Sequence, residues 1–288
     1  MAIPRSQVDY SIVRHACWMA FLNHDPQDVW IAFLMNFGAY FDDSGHPDDS
    51  FCVTVAGFVA TEEQWLLFEK EWREAISAPP YNLSAFHMTH FEADRRLSRE
   101  EKDKLLNKLV TIIRYRSRFH ISHSVPMDEY RNINQEFAFE ESVGPPYALA
   151  GRTIAKSLNH WRSKYGGEDC KLLVAFEDGT KHKGDFMHRM EADHLPCPMF
   201  LKKSEAVPLQ AADLAGWEVQ YALREMRLRP HYQWLLDHLP FEAGVYNRGN
   251  LEAMCHHELF TVPPRDEVEN KIIAYHTTPK RQRKRTIF

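Results

Sequence analysis

The sequence predicts an α/β protein built on a mixed β-sheet of about five strands with helices on both faces. Two runs rich in aromatic and β-branched residues, at 37–41 and 51–59, flank a stretch of turn-forming residues and predict a hairpin. Amphipathic helical patterns follow, and a further apolar run at 171–178 ends in two carboxylates, as the first run does. Strands that alternate with helices in this way are typical of a layered α/β domain.

The composition limits the class of protein. The 288 residues include 44 % hydrophobic and 12 % aromatic residues, which is enough for a packed core. The formal net charge of -5 argues against non-specific coating of nucleic acid, although a local basic patch could still bind phosphates. The five cysteines are scattered without a CxxC pair, which favours reduced thiols and a cytoplasmic protein. No apolar run approaches the roughly 20 residues that span a bilayer, so we expect no membrane partner.

The first predicted strand, residues 37–41, leads directly into Asp42, Asp43 and Ser44. Side chains alternate along a strand, so Asp42 and Asp43 should point to opposite faces unless the strand has already ended. Only one of them is then expected to enter a shared pocket. The alternative interpretation is that both residues only form the turn, because Asp is common before Gly.

The predicted helices are marked by their caps. Thr61 is an N-cap for a tryptophan-rich helix at 62–76, and Ser98 opens a second helix with a capping box. Apolar periodicity predicts the remaining elements, which are a strand at 119–125, a helix at 147–167, the strand at 171–178, a helix at 182–193, a strand at 199–203 and helices at 208–226 and 251–258.

The chain divides most simply into one domain with an addition at each end. Residues 35–228 form the predicted domain, residues 1–34 an N-terminal appendage, and residues 229–288 a C-terminal extension. The extension ends in a basic tail with the run KRQRKR at 280–285. We expect residues 1–34 and the tail from about residue 279 to add little to the core, because neither continues the periodic pattern beside it.

Three acidic places in the sequence predict a metal site. Asp42 and Asp43 follow the first strand, Glu177 and Asp178 follow a later one, and Asp213 lies in an apolar helix. Carboxylates from two strand ends and one helix can converge on one or two Mg²⁺ or Mn²⁺ ions, which prefer oxygen ligands. Alternation lets only one of Glu177 and Asp178 point inward with Asp42, and Glu177 is favoured because Asp178 precedes Gly and suits a turn.

Asp213 has an alternative interpretation. A lone Asp in an apolar helix is costly unless it is paired, bound to metal or exposed. Gln210 shares its face, so Asp213 could be a surface residue or one bonded to Gln210.

The chain resembles the DUF3800 group of uncharacterised bacterial proteins, which is placed in the ribonuclease H-like superfamily, in the motifs AYFDDSG at 39–45, FHMTHFEA at 86–93, FEDG at 176–179 and PLQAADLAGWE at 208–218. The resemblance covers residues 36 to about 226. It implies a ribonuclease H-like sheet with Asp42 as the first-strand carboxylate, Asp213 as the helix carboxylate, and Glu177 or Asp178 between them.

Four further residues complete the predicted site. His87 could protonate a leaving group beside a metal ion, although a hydrogen-bonded loop histidine is the alternative. Ser44, Gln210 and Lys203 are expected to support the carboxylates.

Rival chemistries find less support in the sequence. FEDGT is similar to the DxDGT loop of haloacid-dehalogenase-like phosphatases, but Phe176 occupies the position of the nucleophilic aspartate. The histidine pairs and the 255–257 Cys-His-His cluster have no recognised zinc spacing, and no P-loop, GxGxxG, GxSxG or HExxH is present. The sequence therefore predicts a Mg²⁺- or Mn²⁺-dependent nuclease or related phosphodiester enzyme acting on nucleic acid. The alternative is a non-catalytic ribonuclease H-like module that binds nucleic acid or a protein partner.

Overall fold

The structure is a computed structural model, and it describes residues 36–48, 50–166, 170–179, 183–195, 197–257 and 262–269. The predicted appendage at 1–34 and the basic tail at 280–285 lie outside the described residues. In the part of the chain that is described, no helix is both long and apolar enough to cross a bilayer.

Six strands form one mixed sheet, and they are β1 (Asn36–Ser44), β2 (Cys52–Thr61), β3 (Phe119–Pro126), β4 (Lys171–Glu177), β5 (Met199–Leu201) and β6 (Phe241–Val245). Their order across the sheet is β5-β4-β1-β2-β3-β6. β1, β2 and β3 are antiparallel neighbours, whereas β4 runs parallel to β1, β5 to β4 and β6 to β3. The predicted α/β class with a mixed sheet is confirmed, and the two strands that end in carboxylates are direct neighbours.

Ten helices accompany the sheet in the described residues, and they are α1 (Glu62–Ser77), α2 (Met88–Ala93), α3 (Arg99–Arg116), α4 (Met127–Glu136), α5 (Phe139–Val143), α6 (Pro146–Trp161), α7 (Lys183–Ala192), α8 (Pro208–Glu225), α9 (Pro230–His238) and α10 (Arg248–Cys255). A π-helical turn, Arg162–Gly166, extends α6. Both predicted caps are confirmed: Thr61 accepts a hydrogen bond from the backbone N–H of Gln64, and Ser98 forms a capping box with Glu101.

Each face of the sheet has its own apolar core. Tyr40 of β1 packs with α1, α2, α3, α8 and α9 in the first core, and Phe41 packs with α4 to α7 and α10 in the second. Adjacent strand residues supply opposite cores because side chains alternate along a strand. This arrangement confirms that helices cover both faces.

The sheet has one strand more than the sequence predicts. β6 lies in the segment that the sequence assigns to the C-terminal extension, and it pairs with β3. Its five residues alternate between exposed and half-buried side chains, so no buried apolar run marks it as a strand. Helices α2, α4, α5 and α9 are also absent from the prediction, although Met127, Tyr130 and Ile133 of α4 have the three-residue spacing of one buried helix face.

Gly57 of β2 faces the backbone of β1 without room for a side chain. A Cβ at this position would lie 1.9 Å from the carbonyl oxygen of Tyr40, a backbone atom of a central strand that cannot move aside. We expect Gly57→Ala to lower the free energy of unfolding by about 2–3 kcal/mol, as overpacking does in a full core. Urea denaturation measures this change. The control is Gly184→Ala in α7, where a Cβ meets no described heavy atom within 4 Å. If Gly57→Ala lowered the free energy of unfolding no more than Gly184→Ala does, the close contact between Gly57 and the Tyr40 backbone would be contradicted.

His120 makes the fold sensitive to acid. Its Nδ1 lies 2.8 Å from the carbonyl oxygen of Gly57 and its Nε2 lies 3.0 Å from the hydroxyl of Tyr232, so the neutral ring donates to the first and accepts from the second. Burial lowers the pKa of His120 from 6.5 to about 4. Between these values the unfolded chain binds a proton that the folded chain does not, so stability falls as the pH falls from about 6.5 to about 4.

His120→Asn should therefore weaken the acid sensitivity. The loss of unfolding free energy between pH 7 and pH 4 should be about 3 kcal/mol smaller in this variant than in the wild type, since one pKa unit corresponds to about 1.4 kcal/mol. Urea denaturation at the two pH values measures the difference. An identical loss of unfolding free energy in both proteins would show that protonation of His120 does not cause the acid sensitivity.

Candidate metal centre

Two neighbouring parallel strands deliver the acidic residues to one edge of the sheet. Phe41 of β1 is in register with Phe176 of β4, so Asp42 and Glu177 follow at equivalent points of the two strands. β4 ends at Glu177, whereas β1 continues through Asp43 to Ser44. Parallel strands end at a common edge, where ligands of α/β proteins commonly bind.

Asp42, Asp43 and Glu177 form a carboxylate trio at this edge. One oxygen from each of the three side chains lies within 4.8 Å of the others. Asp42 is buried, with 2 % of its surface exposed, and the other two are half-buried. Within the described residues, no other group of three His, Cys, Asp or Glu side chains converges in this way. The histidine pairs and Cys255 therefore form no such group.

The position of Asp43 corrects the prediction from strand alternation. Alternation places Asp42 and Asp43 on opposite faces, yet both carboxylates approach Glu177. The three side chains meet where β4 ends at Glu177. Beyond this point no β4 residue lies beside β1, so the two faces of the sheet are no longer separated there. The backbone N–H of Asp43 also donates to Oδ1 of Asp42 at 2.9 Å.

Glu177 and Asp178 have different partners. Leu173 and Ala175 pack in the same core as Tyr40, so alternation places Glu177 on the face of Asp42. Asp178 lies in the turn that follows, where its Oδ1 accepts from Lys183 Nζ at 2.9 Å. Asp178 is therefore outside the trio, although the sequence proposes it as an alternative ligand.

Asp213 is joined to the trio through a lysine. Its Oδ2 accepts from the backbone N–H of Met88 at 2.5 Å, and its Oδ1 lies 2.8 Å from Lys203 Nζ. The same Nζ lies 2.7 Å from Oδ2 of Asp42. The sequence predicts Asp213 as a direct metal ligand, but the structure places the Lys203 ammonium between Asp213 and Asp42. The sequence names Lys203 as a supporting residue at the end of a strand, whereas β5 ends at Leu201 and Lys203 lies in the loop before α8.

The buried charges shift one another's protonation. Burial raises the pKa of Asp42 well above its usual value, and the charges of Asp213 and Asp43 raise it further against the opposing effect of Lys203. Burial also raises the pKa of Glu177. Burial alone would lower the pKa of Lys203, but the charges of Asp42 and Asp213 outweigh it and raise the pKa. Perturbed groups of this kind concentrate at functional sites.

His87 lies at the margin of this cluster. Its Nδ1 is 3.6 Å from Oδ1 of Asp213 and has no hydrogen-bond partner among the described residues. Its ring stacks on that of His90, with the centroids 4.5 Å apart. Burial lowers the pKa of His87, so the half-exposed ring is a neutral imidazole at pH 7 that can exchange a proton with a ligand.

Gln210 fixes two of the segments that carry these residues. Its Oε1 accepts from Trp72 Nε1 at 2.9 Å and from the backbone N–H of Phe86 at 2.8 Å. Its Nε2 donates to the carbonyl oxygen of Lys203 at 3.0 Å. Gln210 therefore supports the site by holding the loop that leads into His87 and the loop that carries Lys203.

Ser44 contributes its backbone and not its hydroxyl to the described contacts. Its carbonyl oxygen accepts a hydrogen bond from Gln220 Nε2, which also donates to the carbonyl oxygen of Cys52 at 2.8 Å. α8 approaches closely here, since a Cβ at Gly216 would lie 3.1 Å from the Cβ of Ser44. These contacts anchor the helix of Asp213 to the end of β1.

A second buried polar network, which the sequence does not predict, braces the same helix. Both carboxylate oxygens of Glu218 accept from Arg229 Nε at 3.0 Å, and His231 Nε2 lies 2.7 Å from Oε1. Arg229 Nη1 also donates to Glu92 at 2.5 Å, and its guanidinium lies 4.5 Å from the centroid of Trp217. A glutamate within the apolar stretch of α8 is the sequence signal that could have indicated this network.

No protein-family model, curated protein or solved structure matches this chain.

Proposed function

We propose that the carboxylate trio binds Mg²⁺ or Mn²⁺ and that the protein is a metal-dependent nuclease or related phosphodiester enzyme. The observation that carries the proposal is the convergence of Asp42, Asp43 and Glu177 within 4.8 Å at the ends of two parallel strands. Three carboxylate oxygens form the donor set that these hard cations prefer. The raised pKa values of Asp42 and Glu177 also support a site where a cation would relieve repulsion.

The phosphodiester substrate follows from the resemblance to the ribonuclease H-like superfamily. We propose a ribonuclease H-like fold for the sheet, and the neighbouring positions of β1 and β4 support it because they bring Asp42 beside Glu177. A bound divalent cation would supply an activated water and stabilise the leaving oxygen of a phosphodiester.

The other residues of the site have distinct roles in this proposal. The trio holds the cation, and Asp213 holds Lys203 and the backbone N–H of Met88. His87 accepts a proton from the attacking water, for which its half-exposed ring, neutral at pH 7, is suited. The substrate is nucleic acid, either DNA or RNA.

A panel of labelled single- and double-stranded DNA and RNA tests the proposal. Each substrate is incubated with the protein in Mg²⁺, in Mn²⁺ or in EDTA, and Asp42→Asn is the control for a contaminating nuclease. We expect metal-dependent cleavage by the wild type that EDTA and Asp42→Asn both remove. Binding of nucleic acid without cleavage of any substrate would support the non-catalytic module instead.

A further inference from the structure

Lys203 occupies a defined place between two buried carboxylates. Its Nζ lies 2.7 Å from Oδ2 of Asp42 and 2.8 Å from Oδ1 of Asp213, and only 17 % of its side chain is exposed. Gln210 holds its carbonyl oxygen, so the backbone as well as the ammonium is fixed. A flexible surface lysine that pairs by chance with a nearby acid has neither property.

The remaining oxygens of these two carboxylates have other partners. Oδ1 of Asp42 accepts from the backbone N–H of Asp43, and Oδ2 of Asp213 accepts from the backbone N–H of Met88. The two oxygens that face each other both contact the Lys203 ammonium, Oδ1 of Asp213 through a hydrogen bond and Oδ2 of Asp42 as a close ion pair. A cation bound between Asp42 and Asp213 would have to displace the ammonium, because both need the same oxygens.

Asp42 also belongs to the carboxylate trio, so a cation held by the trio and the Lys203 ammonium would share this residue. In two-metal phosphodiester enzymes two ions lie about 3.5–4 Å apart and stabilise the attacking and the leaving oxygens. Here the position next to the trio is already filled by a fixed positive charge of the chain itself.

We infer that the site works with a single divalent cation, held by the trio, and that Lys203 supplies the second positive charge in place of a second ion. The inference rests on the proposed function. An ammonium has three N–H donors; Asp213 accepts from one and Asp42 lies in ion-pair contact at 2.7 Å, so a further N–H can donate to a phosphate oxygen of the substrate. Asp213 is then a positioning residue that aims Lys203, and not a ligand of the ion.

The number of Mn²⁺ ions bound per chain tests the inference without any activity measurement. Equilibrium binding followed by electron paramagnetic resonance should find a single ion in the wild type. Lys203→Met vacates the space between Asp42 and Asp213 and leaves two uncompensated carboxylates, so this variant should bind a second ion. Lys203→Met combined with Asp213→Asn should return to a single ion.

Lys183→Met is the matched control, because Lys183 pairs with Asp178 at 2.9 Å and does not touch the trio. It should bind a single ion, as the wild type does. Two ions in the wild type, or no second ion in a folded Lys203→Met, would overturn the inference and leave the proposed function standing. No ion in the wild type would overturn both.

Asp213→Asn alone gives a second test that does not depend on the folding of Lys203→Met. This near-isosteric variant should keep the single ion with an affinity within about threefold of the wild type, a smaller change than loss of a supporting residue usually causes. Loss of the ion would identify Asp213 as a direct ligand and overturn the inference.

Discussion

Asp42→Asn is expected to abolish both the stabilisation by Mn²⁺ and the cleavage of nucleic acid while the sheet stays folded. Asp42 is the buried member of the trio and the one that also contacts Lys203. Loss of a residue that only supports a metal ligand commonly costs 10–100-fold, so loss of a central ligand should cost more than about 100-fold in cleavage rate. Metal titrations and initial rates measure the two effects.

The stability of the metal-free variant distinguishes a functional site from a structural one. The pKa of Asp42 is raised in the folded state, so its charged form costs folding free energy at pH 7. Asp42→Asn removes this cost. We therefore expect the free energy of unfolding of the metal-free variant to fall by no more than about 1 kcal/mol, or to rise. The control is Asp128→Asn, because Asp128 has 92 % of its side chain exposed. A collapse of the fold in Asp42→Asn would show that this carboxylate is structural.

Arg229→Met should cause the largest loss of stability, about 3–5 kcal/mol. Arg229 neutralises the fully buried carboxylate of Glu218, and its removal leaves that charge with His231 as the remaining partner near it. Breaking a buried ion pair on one side costs this much because the other charge stays in the interior. Chemical denaturation at pH 7 measures the change.

Two further variants show whether the loss comes from the unpaired charge. Arg227→Met removes a neighbouring exposed arginine that contacts the hydroxyl of Tyr221 at 2.9 Å, and it should change stability by less than about 0.5 kcal/mol. Arg229→Met combined with Glu218→Met replaces both partners by apolar side chains and should recover a large part of the loss. A double variant as unstable as Arg229→Met would point to lost packing of the guanidinium on Trp217 instead.

The strands that carry the trio could be predicted because their signals are local. Residues 37–41 and 171–178 are short apolar runs that end in carboxylates, and both proved to be central strands. Alternation allowed only one of Glu177 and Asp178 to point inward, and the glycine after Asp178 favoured Glu177. β6 could not be predicted in the same way. Its side chains are exposed or half-buried, so it has no buried apolar run, and it is recognised as a strand by its pairing with the distant β3.

The details of the site depend on contacts between distant parts of the chain. Asp213 could be identified as unusual in its helix and Lys203 as a supporting residue, but the sequence did not show that the Lys203 ammonium lies between Asp42 and Asp213. Glu218 is a second buried charge whose partner could not be predicted, because Arg229 lies beyond the end of α8. Periodicity identifies a costly buried charge, and only the folded chain shows which partner compensates it.

The most direct test of the metal centre compares two adjacent carboxylates. The melting temperature is measured with and without Mn²⁺ for the wild type, Glu177→Gln and Asp178→Asn. At a Mn²⁺ concentration about 100 times the Kd, the wild type should gain roughly 5–10 °C. Asp178→Asn should keep this gain because Asp178 pairs with Lys183, and Glu177→Gln should lose most of it because Glu177 belongs to the trio. A wild type that gains nothing, or a Glu177→Gln variant that gains as much as the wild type, would contradict a metal centre formed by Asp42, Asp43 and Glu177.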